Sequence, residues 1–312
     1  MRKTFTDTLT ELARKDDRVM CVIGDTGYSV FEDFEREFGS RFVNVGIAEQ
    51  NFVSFGAGLA AMGMKPFIYN VVSFMVYRAF EQIELDIAYQ ENPVVIVGVG
   101  GGHAYGTAGP THHAYFDLTL MRELPNMTVF SPADPVEMRE VMLAAYNMNR
   151  PTYIRIGRSV DPIVHSQPIN FKLGKAIKMR EGSDAVIFST GVMVKDACAA
   201  VETLHQQGIE AALYSFPTIK PIDEDLIKKC TSDYKIIFTV EEHSIYGGLG
   251  TAVGDVMLDN HDAGDAKLVR MGFSDTFAPF TGTREYLNDY YGISSGKISE
   301  RVLSELLGVR EK

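Results

Sequence analysis

The chain has no tryptophan and only three cysteines in 312 residues. Cys21, Cys198 and Cys230 are odd in number, scattered, and far from any metal-ligand spacing. They exclude a disulfide framework and predict reduced core thiols in a cytoplasmic setting, with no metal site on this chain. Positive charge is also short. Thirty Lys and Arg face 41 Asp and Glu, for a net charge of -11. That balance argues against a nucleic-acid partner or an anionic membrane surface. No apolar run is long enough to span a bilayer, and "MRKTFTDTLTELARKDDR" lacks the apolar centre of a signal peptide. Neither a transmembrane helix nor a signal peptide is expected. Low-complexity segments and short tandem repeats are missing as well.

What is there is an ordinary globular composition, 46% hydrophobic and 23% charged, at a length that predicts two domains. Short apolar runs bounded by Gly, Pro or Asn ("RVMCVIG", "KPFIYNVV", "NPVVIVGVG", "NMTVFSP", "PTYIRIG") read as buried strands. Helical patterns lie between them: "FEDFEREF", "AEQNFVSFGAGLAAMG", "SFMVYRAFEQIELDIAYQ" and "DPVEMREVMLAAYNM". Asp134 followed by Pro135 marks a helix start. The alternation lapses over about 159–178 and resumes with "DAVIFSTG", "KDACAAVETLHQQG", "EAALYSF", "YKIIFTVEEH", "GGLGTAVGDVML" and "AKLVRMGF". The fold class expected is α/β, with two doubly wound domains and mainly parallel sheets. Residues 1–165 form the first domain, 166–180 a linker, and 181–312 the second.

Three of the seven histidines fall within eleven residues of one Gly-rich loop, "HAYGTAGPTHHAYFDL" (His103 to Leu118). Such a loop after an apolar strand is a common place for a binding site, although a surface loop also holds histidines that do nothing. Glu49 opens an otherwise apolar helix. An acid there suits the positive end of the helix dipole. Burial among apolar neighbours would also raise its pKa, as a proton-transfer partner requires. Phe74 and Tyr77 stand one turn apart, a spacing that serves a core as well as a cofactor platform. Arg158 lies just past a strand's carboxyl end, where open α/β sheets usually bind ligands. "VEEHSIYGGLG" has neither the Gly-Lys-Ser/Thr ending nor the GxGxxG spacing of a nucleotide loop.

Taken in order, "GIAEQN", the aromatic helix, "GPTHH", "SPADPVE" and "VEEHSIYGGLG" resemble the transketolases, over essentially the whole chain. The resemblance is to the carboxyl-terminal half of a full-length transketolase: the pyrimidine-binding domain of thiamine-diphosphate enzymes plus the transketolase C-terminal domain. The other half of those enzymes carries a Gly-Asp-Gly run that holds Mg2+ and the diphosphate. Here "GDTGYS" and "GDVML" are not that run. The resemblance therefore implies one subunit of a split transketolase, with thiamine diphosphate shared between chains and Mg2+ held by the partner. An α2β2 heterotetramer acting on a sugar phosphate is expected.

By the same resemblance, Glu49 contacts N1' of the aminopyrimidine and favours its imino tautomer. Phe74 and Tyr77 pack on that ring, with Val71 where the family has a third aromatic, and Asp25 stands near the cofactor. His112 matches the substrate histidine of "THQ", with His113 in place of the glutamine. His103 is a further substrate-loop candidate, although it does not align with the family's other substrate histidine. Arg158 and Arg2 match phosphate-gripping arginines, and His243 is structural. Ala108 stands where the family typically has an aspartate that bonds a sugar hydroxyl, which implies a non-standard sugar. The neighbouring readings are a subunit like deoxyxylulose-phosphate synthase, or one like the β chain of 2-oxo-acid dehydrogenases. The latter lacks "GPTH".

Overall fold

In the computed structural model, which describes residues 1–158, 163–259 and 264–310, two α/β units pack together. The first begins with α1 (Arg2–Lys15), an amphipathic helix that buries Phe5, Leu9 and Leu12. It continues with β1 (Val19–Ile23), α2 (Glu32–Phe38), β2 (Phe42–Asn44), α3 (Glu49–Ala61), β3 (Lys65–Val71) and α4 (Val72–Arg78). Then come the single turn α5 (Phe80–Gln82), β4 (Val95–Val99), α6 (Asp117–Glu123), β5 (Thr128–Phe130), α7 (Pro135–Met148) and β6 (Thr152–Ile156). β1 and β4 are buried at every residue, as strands covered on both faces must be.

The second unit holds β7 (Ile177–Arg180), β8 (Ala185–Ser189), α8 (Met193–Gln206), β9 (Ala211–Ser215), β10 (Thr218–Lys220) and α9 (Glu224–Asp233). β11 (Ile236–Ser244), α10 (Leu249–Asp259), β12 (Lys267–Phe273), α11 (Arg284–Tyr290) and α12 (Ser295–Arg310) complete it. The sheets run β10-β5-β6-β4-β3-β1-β2 and β12-β11-β8-β9-β7. Every pairing is parallel except β10 on β5 and β7 on β9, both at sheet edges. The mainly parallel, doubly wound α/β expectation matches this architecture.

Three local features differ from the sequence pattern. The stretch 73–90, whose spacing predicts one helix, breaks at Ala79 (φ -116, ψ 27) and resumes as a wide-turned π-helix over Ile83–Tyr89. Ile177–Arg180, expected as linker, is a strand; its half-exposed "IKMR" is an edge and lacks the apolar signature of a central strand. β10 belongs by chain order to the second unit but pairs into the first sheet, so the sheet itself ties the units together. Residues 159–162, where the sequence pattern begins to lapse, lie outside the described residues.

The helix start at Asp134 is as the sequence predicts. One carboxylate oxygen, Oδ1, accepts from the backbone N–H of Val136 and Glu137, both at 2.9 Å, with Pro135 at the first helical position. The other, Oδ2, accepts from the N–H of Val164 and His165 at 3.0 Å. A helix cap thus also fastens the crossing segment.

Candidate active site

Parallel strands deliver their carboxyl ends to one edge of the sheet, and loops there form the usual ligand crevice. Five such ends contribute here. β1 leads to Asp25, β2 to Glu49 at the start of α3, and β3 directly into α4 with Phe74 and Tyr77. β4 leads to the histidine loop and β6 to Arg158.

Four of these residues fall into a continuous strip, and the strip includes two residues that the sequence alone does not single out. Glu49 is 8% exposed, and its Oε1 accepts from Arg78 Nη1 at 3.0 Å. The same guanidinium lies over the Phe74 ring, 4.6 Å from its centre. His112 meets Phe74 edge-on at 4.9 Å, and its Nδ1 is 2.9 Å from the Thr111 hydroxyl. The far side of His112 faces Tyr105 at 5.6 Å, and Arg158 covers Tyr105 at 4.4 Å. Burial pushes the Tyr105 hydroxyl pKa up against the pull of Arg158 and Arg2, so both cations act on that ring. Arg78 follows Phe74 by four residues, one helical turn, which is the signal that could have found it. Tyr105 leaves no comparable signal.

The other residues stand apart from the strip. Tyr77 stacks on Phe116 at 4.4 Å, and its hydroxyl accepts from the Phe116 N–H at 3.2 Å. Burial pushes its pKa up, the buried charge of Asp117 adding to this. Asp25 adopts a positive φ of 54, with its N–H donating to Asn44 Oδ1 at 3.0 Å. His103 is a correction. It is fully buried, with Nδ1 3.2 Å from the Asn288 side chain and Nε2 3.2 Å from Tyr115 Oη. Its ring packs on Phe273 at 4.2 Å, so it sits in the seam between the units and meets no crevice. His113 is buried beside it, and His243 is buried under the start of α6, next to the Thr119 N–H.

The strip can be tested against an aminopyrimidine. A flat, N–H-bearing guanidinium already satisfies the Glu49 carboxylate and the Phe74 face together, so a flat heterocycle with N–H groups matches the same two surfaces in kind. Close by, at the end of β3 and the start of α4, Asn70 Nδ2 and Ser73 Oγ are buried with no hydrogen-bond partner. Buried polar atoms of this sort call for a ligand or water. The donor set therefore fits.

Residues 1–161 match the pyrimidine-binding domain of transketolase, and residues 174–298 match its C-terminal domain. The chain belongs to the transketolase family. Its members are thiamine-diphosphate-dependent enzymes. The chain is 40% identical over 261 residues to one of the subunits of an apulose-4-phosphate transketolase of Phocaeicola vulgatus, covering 83% of this chain and 84% of that one. It is 34% identical over 299 residues to a 6-deoxy-6-sulfo-D-fructose transketolase subunit of a Clostridium species, covering 96% and 92%. A solved split-gene transketolase, described as an inactive beta4 tetramer, superposes with a TM-score of 0.87 at 34% identity, over 98% of this chain and 97% of that one. These transketolase relatives thus share this chain's length and two-domain extent.

Proposed function

We propose that this transketolase-family chain is the pyrimidine-binding subunit of a split enzyme that moves a two-carbon ketol unit from a ketose phosphate to an aldehyde. The observation that carries the reading is the strip Glu49–Arg78–Phe74–His112–Tyr105–Arg158 at the carboxyl ends of the first sheet. Glu49 and Phe74 would hold the aminopyrimidine, with Asp25 and Tyr77 bordering it. When bound, thiamine diphosphate would supply the nucleophilic carbon for the ketose carbonyl. Glu49 holds a proton at N1' and so favours the basic imino form, an interaction strengthened where water is excluded. His112 takes the proton from the donor hydroxyl as the adjacent carbon–carbon bond breaks, and returns it on the reverse course. Arg158 and Arg2 grip the phosphate, Arg158 with the planar fork suited to phosphate oxygens.

An apolar face supports a partner. Ile47 before α3, Phe55 within it and Met62 just past it are exposed, as are Leu85 and Tyr89 of the π-helix that packs against α3. Ile47 is 76% and Met62 82% exposed, one at each end of Glu49's helix. Large apolar side chains left exposed on neighbouring helices suit an interface. The partner subunit, carrying the diphosphate-binding domain and holding Mg2+, would cover it in an α2β2 complex in the cytoplasm. Among the described residues no helix is long and apolar enough to cross a membrane.

Ala108 is exposed in the 3-10 turn Gly106–Ala108, and by the sequence resemblance its methyl would stand in for an aspartate that accepts a sugar hydroxyl. We assign the donor to ketose phosphates that are deoxygenated, branched or differently configured at that hydroxyl. The experiment is kcat/KM of the reconstituted complex on xylulose 5-phosphate with ribose 5-phosphate against a panel of such sugars. A higher value for a modified ketose is expected; preference for the ordinary pair overturns the substrate assignment.

A further inference from the structure

His103, Tyr115 and His113 sit in the seam between the two units, exposed by 0%, 6% and 1%. Their contacts form one continuous chain from α11 to the Gly106 carbonyl. Asn288 Oδ1 of α11 lies 3.2 Å from His103 Nδ1, with Asn288 Nδ2 directed at Met193 Sδ, and His103 Nε2 is 3.2 Å from Tyr115 Oη. Tyr115 Oη is 3.1 Å from His113 Nδ1, and His113 Nε2 is 3.2 Å from the Gly106 carbonyl. The Ala278 N–H also donates to Tyr115 Oη at 3.2 Å.

Donor counting fixes the direction of this chain. Burial lowers the pKa of both rings, that of His103 to about 4, so each is neutral and carries one N–H. The Gly106 carbonyl only accepts, so the His113 proton is on Nε2 and Nδ1 is bare. The Tyr115 hydroxyl must then donate to His113 Nδ1. Its oxygen accepts from Ala278 and from His103, which puts the His103 proton on Nε2. His103 Nδ1 is therefore bare, and it requires the Asn288 amide turned so that its –NH2 faces the ring. The reverse order would set a bare His113 Nε2 against the Gly106 carbonyl oxygen, two lone pairs facing each other.

The chain ends on the turn that carries Ala108. Gly106 O also accepts from the N–H of Gly109 at 3.3 Å and, across the seam, from Gly282 at 3.4 Å. No side chain would fit at Gly106, since a Cβ there would come within 2.5 Å of the Gly282 carbonyl. We propose that Tyr115 and His113 are positioning residues for the substrate loop, transmitting the placement of the second unit to Ala108 and His112. The proposal rests on the reading of that loop as the substrate face.

The test uses the reconstituted complex. Tyr115→Phe should lower kcat/KM for the ketose by ~10-fold or more, the scale of a displaced catalytic loop. Thiamine-diphosphate affinity should stay within about two-fold, because no hydrogen bond of the chain reaches Glu49 or Phe74; a loss spread over the whole fold moves both. His113→Gln, which keeps a donor for the Gly106 carbonyl, should lose less. Nitrogen-15 NMR of the chain should show Nε2–H tautomers for both His103 and His113, with His103 altered in Tyr115→Phe. That readout needs no substrate, and it keeps the proposal testable if the variant folds poorly. An Nδ1–H tautomer for His113 overturns the proposal, as does unchanged kcat/KM or an equal loss of cofactor affinity. His112→Ala in the same assay tests the loop reading separately: if it retains turnover, the functional assignment of the loop fails while the tautomers stand.

Discussion

On the proposed function, Glu49 is the residue on which the chemistry turns. Its carboxylate is buried at the head of α3, and Arg78 is its partner in the free chain. Glu49→Ala and Glu49→Gln should each lower turnover of the complex by at least ~100-fold, the scale of a lost acid–base contribution. Near-normal turnover in both would refute the role. On the same proposal, Ala108 acts on specificity. Ala108→Asp should shift preference towards the ordinary sugar pair by ~1–3 kcal/mol, the scale of one charged hydrogen bond. An unchanged ratio in competing-substrate kinetics would show that another group sets it. Glu49, Phe74, His112 and Arg158 are legible in the sequence because each pairs a chemical type with a position at an element's end. His103 misleads for a physical reason. A histidine whose two nitrogens are satisfied in a seam has the same sequence signature as one facing a crevice. Arg78 and Tyr105 stay silent in the sequence because their use depends on what lies across the strip.

Among the elements, the start of α7 couples local structure to domain docking. Asp134 accepts four backbone N–H groups, two from α7 and two from the crossing segment. An ordinary cap contributes ~1 kcal/mol, and Asp134→Ala should cost ~2–4 kcal/mol because buried donors lose their acceptor. Urea denaturation measures it, and a loss below ~1 kcal/mol would mean that water replaces the carboxylate. Next to it, His165 Nε2 is 2.8 Å from Glu137 Oε1, which also accepts from the Ser215 hydroxyl at 2.6 Å. Burial disfavours the charged ring, but the hydrogen bond and charge of Glu137 outweigh it and raise the His165 pKa above 6.5. The added stability is therefore complete below about pH 6.5 and lost as pH rises through the raised value. The thermal-midpoint gap between wild type and His165→Gln should narrow across that rise. A gap that is constant or widens contradicts the pairing. Central strands and the capped helix are readable in the sequence because burial on both faces and cap chemistry leave strong patterns. β7 and β10 are not, since three- and four-residue edges take their identity from the strand that they join.

At the scale of the whole molecule, the seam is built from charge as well as apolar contact. Arg155 pairs with Asp117 at 2.9 Å and donates to the Glu242 carbonyl at 2.8 Å, while Arg284 pairs with Glu242 at 2.9 Å. Buried pairs of this kind fix relative placement more than they add stability. That fixed placement leaves one edge of the first sheet, with Glu49 and the apolar face of α3, open to a second chain. The doubly wound class is legible from alternation alone. The seam is not, because its pairs join residues far apart in sequence. The central claim is that the cofactor site is completed between two chains. Titration calorimetry of thiamine diphosphate with Mg2+ into the chain alone, the partner alone and their mixture tests it most directly. Tight binding is expected from the mixture only, and it should be lost again in Glu49→Ala. Tight binding by the chain alone would contradict the claim.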